Sequence, residues 1–204
     1  MLAKNKQKIN RYIVFILGGI LATGVLAFGF YRVRNNSKEK IQSYLFTPTP
    51  VPTMTLKVYF NNLHLNKSQD CNRVYSTERS VPGTQAVAAA ALRELFSGPS
   101  WEEKNKGYTS LFSEKTKDIL KQVKIENGIA YVDLIDIRKI IPNASSSCGS
   151  AQFLAEIEST LLQFPSIKKA IIAIEEDPQT FYDWIQVGCS KENNNCDKGP
   201  FLKI

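Results

Sequence analysis

The sequence predicts an α+β fold, in which a mixed or antiparallel sheet carries two helices packed on one face and one N-terminal transmembrane helix precedes the domain. Apolar periodicity switches between the strand and helix repeats in the order strand, strand, helix, strand, strand, helix, strand, strand. An Asn-Gly pair joins two alternating segments, which is typical of a β-hairpin. One long uncharged apolar run lies near the N-terminus.

The domain begins with two extended segments and a helix. "MTLKVYF", residues 54–60, alternates and is rich in β-formers, and "NRVYSTERSVP" is a second extended segment that ends at Pro82. From Thr84 onward apolar residues recur at i and i+4, which predicts a helix with Thr84 as its N-cap. Gly98-Pro99 ends this helix, because glycine suits the position after a helix and proline cannot continue it.

The second half repeats this order with a clearer turn. Asn127-Gly128 joins the two strands of "DILKQVKIENGIAYVDL", since both residues accept the positive φ of a type I′ turn. "IPNASSSCGS" reads as a serine-rich loop, and residues 151–164 form the second helix, which ends before Pro165. "SIKKAIIAIEE" is a strand, "FYDWIQV" (residues 181–187) is read as another, and the tail is irregular.

The net charge of +7 is confined to the N-terminal part of the chain. Residues 1–40 contain eight Lys or Arg and one Asp or Glu, and residues 41–204 contain 18 of each type. A nucleic-acid-binding module carries its basic stripe on the folded domain. The charge distribution therefore disfavours nucleic acid as a partner.

The apolar run at residues 12–31 predicts a membrane anchor. Its twenty uncharged residues, rising about 1.5 Å each in a helix, span a bilayer core of about 30 Å. Tyr12 and Tyr31 lie at its two ends, where aromatic rings favour the membrane interface. The run exceeds the core of about 7–15 residues in a cleaved signal peptide, so a retained anchor is favoured over cleavage. The short N-terminus is expected inside and the domain outside the membrane.

Composition then divides the chain into five parts. The alternating prolines of "TPTPVPT" predict an extended spacer that holds the domain off the membrane. The predicted parts are a cytoplasmic basic segment (1–11), the anchor (12–31), a polar and proline-rich linker (32–53), the α+β domain (54–188) and a tail with a cysteine loop (189–204).

All four cysteines follow the anchor, and an even number in an exported domain indicates two disulfides. Their spacing lacks the close pairs of a zinc site. Cys189 and Cys196 bracket a short polar turn, which favours their pairing and leaves Cys71 for Cys148. The other two pairings stay open at this stage.

Catalytic motifs are not recognisable in the sequence. Gly98 follows a helix, whereas a phosphate-binding loop places its glycines before one, and no G-x-S-x-G nucleophile elbow is present. His64, the only histidine, lies in a polar loop without an evident catalytic partner. Asp133, Asp136 and the acidic run at residues 175–177 suit a solvated strand end better than a calcium or magnesium site. We therefore predict no catalytic residue, no cofactor and no metal ligand.

A small set of residues suits an interaction surface. Trp101 and Tyr108 are the aromatic candidates, and partial burial over the core is their structural alternative. Glu103 suits local capping or pairing, and Arg73 and Arg79 suit either cross-strand pairing or an anion or glycan ligand.

Four segments in order resemble the GerMN domain family, which occurs in bacterial envelope proteins. They are "VYF", "CNRVYSTERSVPGTQAVAAAALRELFSGPSWEEKNKGYTS", "IENGIAYVDL" and "SCGSAQFLAEIESTLLQFPSIKKAIIAI", between about residues 56 and 174. Gly98-Pro99, Glu103, Gly107 and Ser110 match the family's Gly-Pro-Thr-x-x-Glu-x-x-x-Gly-x-x-Ser pattern, with Ser100 where threonine is frequent.

The resemblance implies a small α+β domain outside the cytoplasmic membrane, without known catalytic activity and with a role in envelope assembly or recognition. The chain departs from the family's tandem proteins because it has one such domain, an additional C-terminal cysteine loop and no lipoprotein cysteine. A role in sporulation itself does not follow from the resemblance.

The resulting expectation is a non-catalytic, membrane-anchored recognition or scaffolding module whose partner is an envelope protein or peptidoglycan. Two alternatives stay open. One is a cell-wall hydrolase with an unrecognised site, which would need a cleft with two carboxylates. The other is a domain that self-associates into a ring or oligomer through exposed strand edges.

Overall fold

The structure, a computed structural model, describes residues 31–32 and 52–202. The chain divides into two compact units, Met1–Pro50 and Val51–Ile204. The predicted anchor at residues 12–31 and the linker at 32–53 lie almost entirely outside the described residues. Within the described ranges no helix has the length and apolar character needed to cross a membrane.

The second unit contains six strands and four helices among its described residues. In chain order they are β1 (Thr53–Asn62), β2 (Tyr75–Pro82), α1 (Val87–Phe96), α2 (Trp101–Asn105), β3 (Tyr108–Thr109), β4 (Leu120–Glu126), β5 (Ile129–Leu134), α3 (Ser147–Leu162), β6 (Lys169–Ile174) and α4 (Pro178–Trp184). Two 3-10 turns, Glu114–Thr116 and Pro142–Ser145, precede β4 and α3.

The strands form two three-stranded sheets, not the single sheet that the sequence predicted. The first sheet has the order β2-β1-β3 and is antiparallel. The second has the order β4-β5-β6, in which β5 and β6 are parallel. The parallel pair needs a crossover, which α3 supplies. Because α3 packs against both β1 and β6, it contacts both sheets, and the α+β class is confirmed.

A row of phenylalanines runs through the core between the helices. The ring centroids of Phe96 and Phe112 lie 4.9 Å apart, those of Phe112 and Phe153 5.1 Å apart, and those of Phe153 and Phe181 5.8 Å apart. These tilted contacts suit aromatic quadrupoles and add to the burial of apolar area. The row links α1, α3 and α4 through the segment that follows β3.

Element ends follow the predicted turn chemistry in part. Asn127 and Gly128 have φ values of 51° and 79°, which confirms the hairpin turn between β4 and β5. Gly98 follows α1 with a φ of 72°, as expected. The predicted N-cap Thr84 is wrong: α1 begins after Ala86, and the Thr84 hydroxyl accepts a hydrogen bond from the Ala86 N–H instead.

Two further assignments are wrong. In each case a capping side chain starts a helix where the apolar pattern did not predict one. In "IPNASSSCGS" the Ser146 hydroxyl accepts from the Gly149 N–H, so α3 begins inside the predicted loop. "FYDWIQV" was predicted as a strand, but Asp177 caps the Thr180 N–H and Pro178 occupies the first turn, so α4 forms. Phe181 and Tyr182 of this helix are buried in the core.

Both disulfides have the pairing that the sequence favoured. Cys71 joins Cys148 with a Cα–Cα distance of 5.3 Å, and Cys189 joins Cys196 with one of 5.6 Å. The first bond fastens the loop before β2 to the first turn of α3. On the chain-entropy model, a loop of this length is worth about 4 kcal/mol.

The side chains of the α3 segment close one edge of β1 where no strand lies. The Gln163 amide accepts from the Lys57 N–H at 2.9 Å and donates to the Lys57 carbonyl at 2.6 Å. The Thr160 hydroxyl accepts from the Tyr59 N–H at 3.2 Å. One helix face therefore replaces the hydrogen bonds of a neighbouring strand.

Glu156 continues this row as a fully buried carboxyl group without a cation. Its Oε1 atom accepts from the Asn61 N–H at 3.4 Å and from the Gln152 amide at 2.8 Å. Its Oε2 atom lies 2.5 Å from the Ser110 hydroxyl, which donates to it when the carboxyl is ionised. Burial raises the pKa of Glu156 to about 8, and the hydrogen bonds oppose this rise only in part.

We expect stability to fall as pH rises through the interval between the unfolded and folded pKa values of Glu156, from 4.5 to about 8. The folded protein keeps a proton there that the unfolded chain has released, so the contribution is complete below that interval. The free energy of unfolding should fall by up to about 1.4 kcal/mol per pH unit. Denaturant unfolding of Glu156→Gln should show a flatter profile. The exposed change Glu114→Gln is the control; equal slopes in both variants would contradict the assignment.

Two glycines with the same backbone conformation separate conformational cost from steric fit. Gly98 and Gly188 share a φ of 72°, but a Cβ on Gly98 would lie 2.3 Å from the Phe112 carbonyl oxygen, whereas one on Gly188 meets nothing within 4 Å. We expect Gly188→Ala to cost about 1 kcal/mol, the penalty for φ alone. Gly98→Ala should cost about 3 kcal/mol or more, because backbone must also move. Equal losses in chemical denaturation would show that the contact is relieved cheaply.

Candidate functional site

An open groove of about 450 Å³ runs between β2 and the segment around α2. One wall comes from residues 77–80 of β2, and the other comes from Ser100 and α2 with its flanking Lys106. The lining residues are Thr77, Glu78, Arg79, Ser80, Glu94, Ser100, Glu102, Glu103 and Lys106.

The second wall is a short helix that its own caps stabilise. The Ser100 hydroxyl accepts from the Glu103 N–H at 3.2 Å, and the Glu103 carboxylate accepts from the Ser100 N–H at 2.6 Å. This reciprocal pair is a capping box, which satisfies two amide donors at the helix start. The predicted local capping by Glu103 is confirmed. The Ser-x-x-Glu spacing is typical of a helix start. Helix α2 was not predicted from the sequence because a helix of five residues is too short to show an apolar repeat.

Arg79 fastens the two walls together with all five of its N–H donors. Its Nε and one terminal nitrogen donate to the Glu103 carboxylate at 3.3 and 2.5 Å. That same nitrogen donates to the Gly98 carbonyl at 2.8 Å, and the other donates to the Glu94 carbonyl and carboxylate at 2.7 and 3.2 Å. The guanidinium also lies 5.5 Å from the Phe60 ring centroid.

The buried partner of this pair stays ionised. Burial by itself would raise the pKa of Glu103, but hydrogen bonds from Arg79 and from the Ser100 N–H outweigh burial, and the pKa lies below its usual value. The Arg79 and Glu103 side chains are 13% and 9% exposed. Their charges therefore neutralise each other and Glu94 within the fold, and neither is free to bind a ligand. The cross-strand pairing expected for Arg79 is replaced by contacts with α1 and α2.

Two of the five residues predicted for an interaction surface, Arg79 and Glu103, line the groove. Trp101, the first residue of α2, is 73% exposed next to the groove. Tyr108 is half-buried, and its hydroxyl donates to the Ser76 carbonyl at 2.8 Å. Arg73 is exposed in the loop before β2, where its carbonyl accepts from the Asn61 amide.

Asp133 of β5 and the acidic residues after β6 form an ion-pair cluster with Lys121. Asp133 is fully buried within β5, so the solvated strand end predicted for it is wrong. Its Oδ2 atom lies 3.3 Å from the Lys121 ammonium, and Glu175 lies 2.8 Å from the same ammonium. The hydrogen bond from Lys121 to Glu175 is the main cause of a raised Lys121 pKa. Among residues 31–32 and 52–202, no group of His, Cys, Asp and Glu side chains could hold a metal ion.

His64 packs against Gly107 and does not line the groove. It is exposed in the loop after β1, and its ring would lie 2.7 Å from a Cβ placed on Gly107, whose φ is 88°. The buried Asn62 side chain organises the same loop, because it accepts from the His64 N–H and donates to the Lys106 carbonyl. This ties the end of α2 to β1.

Comparison with known proteins places these features in a family. The family model described as "Germane: Sporulation and spore germination" matches residues 57–180, a span that contains both walls of the groove. None of the curated proteins matches the chain.

Several solved structures are similar to the chain. The first GerMN domain of the sporulation protein GerM from Bacillus subtilis is 21% identical with a TM-score of 0.44, over 60% of this chain and 83% of that one. The tandem GerMN domains of the same protein are 22% identical with a TM-score of 0.42, over 60% of this chain and 39% of that one. A lipoprotein from Clostridium perfringens is 23% identical with a TM-score of 0.36, over 62% and 77% of the two chains.

We expect Arg79→Lys to lower the free energy of unfolding by about 2–4 kcal/mol, because three ammonium donors cannot serve five acceptors and Glu103 stays buried. Arg138→Lys is the matched control. Arg138 pairs with Asp136 at 2.8 Å, but both side chains are about half exposed. That change should cost less than about 0.5 kcal/mol. Thermal and urea unfolding measure both; similar small losses would show that the buried network contributes little.

Proposed function

The chain belongs to the Germane family of sporulation and spore germination domains, and on this premise we propose that it is a non-catalytic recognition module of the cell envelope. In this proposal residues 12–31 anchor it in the bacterial cytoplasmic membrane, with the N-terminus inside. The domain binds an envelope protein or peptidoglycan at the groove between β2 and α2.

The observation that carries the proposal is that buried charged residues hold α2 in place while an aromatic residue of the same helix is exposed. The five donors of Arg79 and the carboxylate of Glu103 are used to hold β2, α1 and α2 together. Trp101, on the helix that they hold, is 73% exposed. An aromatic side chain on a preorganised surface is what binding hot spots use, because little ordering cost remains on association.

The same bonding supports a binding role over hydrolysis. The Ser100 hydroxyl accepts from the Glu103 N–H at the helix cap and donates to the Glu102 carboxylate at 2.9 Å. A serine nucleophile needs an adjacent general base to take its proton. The Glu103 carboxylate accepts from Arg79 and from the Ser100 N–H, and it does not accept from the Ser100 hydroxyl. Glu102, which does accept from that hydroxyl, is exposed, and hydrogen bonds from its own backbone and from Ser100 lower its pKa, which makes it a weak base.

The anchor is tested by extracting membranes with alkaline carbonate. The full-length protein should stay in the membrane pellet, and deletion of residues 12–31 should move it to the supernatant. Recovery of the intact protein in the soluble fraction would sink this part of the proposal.

Binding at the groove is tested in the cell with a photo-crosslinking aromatic residue, p-benzoylphenylalanine, placed at position 101. We expect covalent adducts with envelope material, because position 101 faces outward beside the groove. The same residue at position 187 is the control, since Val187 is 57% exposed but does not line the groove. Adduct yield at 101 should exceed that at 187 by about tenfold, as for a hot-spot residue compared with an ordinary surface site.

Equal or absent adducts at the two positions would overturn the groove as a binding surface. Incubation of the purified protein with peptidoglycan sacculi tests for hydrolase activity. Release of soluble muropeptides would overturn the non-catalytic assignment and support the hydrolase alternative.

A further inference from the structure

The outer edge of β2 points its hydrogen-bonding groups away from the sheet at alternate residues. Lys57 uses both its N–H and its carbonyl for Gln163, so it makes no ladder bonds to its β2 partner Glu78. In an antiparallel pair such residues turn both backbone groups outward on each strand. Glu78 therefore directs its N–H and carbonyl away from β1, and the strand period of two extends this to Ser76 and Ser80.

Two of these three residues keep their backbone groups unpaired in the part of the chain that the structure describes. The Ser76 carbonyl accepts from the Tyr108 hydroxyl, whereas no neighbouring strand or side chain bonds to the backbone of Glu78 or Ser80. Both residues line the groove, and α2 forms its other side. The groove is thus a slot between a bare strand edge and a helix.

Three other strand edges in the described part of the domain are closed or guarded. Side chains of α3 and the strand β3 occupy the far edge of β1. The Tyr182 hydroxyl accepts from the Ile172 N–H at 3.4 Å on β6. The outer edge of β4 carries an irregularity between Leu120 and Gln122, a device that discourages strand pairing. Among residues 52–202, nothing gives the edge of β2 such a cover.

The charges left free in the slot are acidic. Arg79 is paired with Glu94 and Glu103, so among the described lining residues Glu78 and Glu102 face only one further cation, Lys106. Glu78 and Glu102 are both exposed. Charge complementarity favours lysine or arginine on whatever lies there.

We propose that β2 binds an extended, basic segment of a partner polypeptide as an additional strand, with Glu78 and Ser80 supplying the backbone hydrogen bonds. This mode of recognition takes affinity from main-chain bonds and specificity from alternate side chains. The inference rests on the proposed function, since it names the chemical class of ligand that the groove takes.

A second copy of the chain fits the edge poorly. Outward groups lie on even-numbered residues, so a symmetric antiparallel pairing of two β2 strands is centred on either Glu78 or Arg79 in its two fullest registers. The first register sets the exposed Glu78 opposite its own copy, and like charges directly opposite destabilise a strand pair. In the second register Arg79 is already paired with Glu94 and Glu103, but a second β2 has one glutamate and one arginine and so offers no net positive charge to the acidic slot.

The experiment uses the full-length protein and a fluorescent ten-residue peptide of alternating threonine and lysine, with a threonine-glutamate peptide as the matched probe. Hydrogen exchange at single-residue resolution is the direct readout. With saturating lysine peptide, we expect exchange at the amides of Glu78 and Ser80 to slow by about tenfold or more, since they gain ladder bonds. Thr77 and Arg79 already bond to β1, so their exchange should not change.

Fluorescence anisotropy then tests which groups bind the peptide. Ser80→Pro removes one outward N–H at an edge position that tolerates proline, and should weaken binding by about tenfold or more. Ser80→Ala keeps the N–H and should stay within about twofold. Glu78→Lys keeps the backbone and should reverse the preference between the two peptides. It serves as the decisive variant if Ser80→Pro fails to fold.

Unchanged exchange at Glu78 and Ser80, or equal binding of the two peptides, would overturn strand addition. Protection that appears without peptide and grows with protein concentration would also overturn it, because a second copy would then occupy the edge. Crosslinks from position 101 that persist alongside either result would leave the proposed function standing. Loss of crosslinks together with an intact peptide effect would overturn the proposed function alone.

Discussion

The architecture depends on one row of side chains, those of the α3 segment that close the inner edge of β1. Gln163, Thr160 and Glu156 are spaced to lie on one helix face, and they meet the N–H groups of Lys57, Tyr59 and Asn61 at alternate strand positions. A strand edge left bare in the core would cost the desolvation of each donor. Closing it with a helix also decides which β1 residues bond to β2. The identity of the backbone groups that β2 presents to solvent follows from contacts on the opposite side of the sheet.

Ionisable groups are used in this domain mainly as structural parts. Glu156 is buried without a cation, and its raised pKa reflects the cost of charging it there. Arg79 and Glu103 are buried as an ion pair whose donors and acceptors are all satisfied, the condition under which such a pair is tolerated. The polar residues of the glycine-proline motif thus shape the groove, and in our proposal the exposed Trp101 and the edge of β2 contact the ligand.

Local chemistry explains which elements were predictable. The hairpin at Asn127-Gly128 and the end of α1 at Gly98 depend on φ values that neighbouring residues do not alter. The strand assigned to "FYDWIQV" failed because the capping by Asp177 outweighs the β-propensity of aromatic residues. The helix α2 was missed because five residues cannot show a period, although its Ser100-x-x-Glu103 signal was present. The sequence predicted five interaction residues as one set, whereas burial separates Glu103 and Arg79 from the exposed Trp101.

The sequence by itself determined the α+β class, the strongest turns and the favoured disulfide pairing, because each depends on residues close in the chain or on counting. Tertiary structure alone decided that the strands form two sheets, since a parallel partner for β5 depends on how α3 packs. It also decided the role of Arg79, whose acceptors come from residues up to 24 positions away. The open edge of β2 was likewise invisible to the sequence, because its direction is set by a hydrogen bond between Lys57 and Gln163, 106 residues apart.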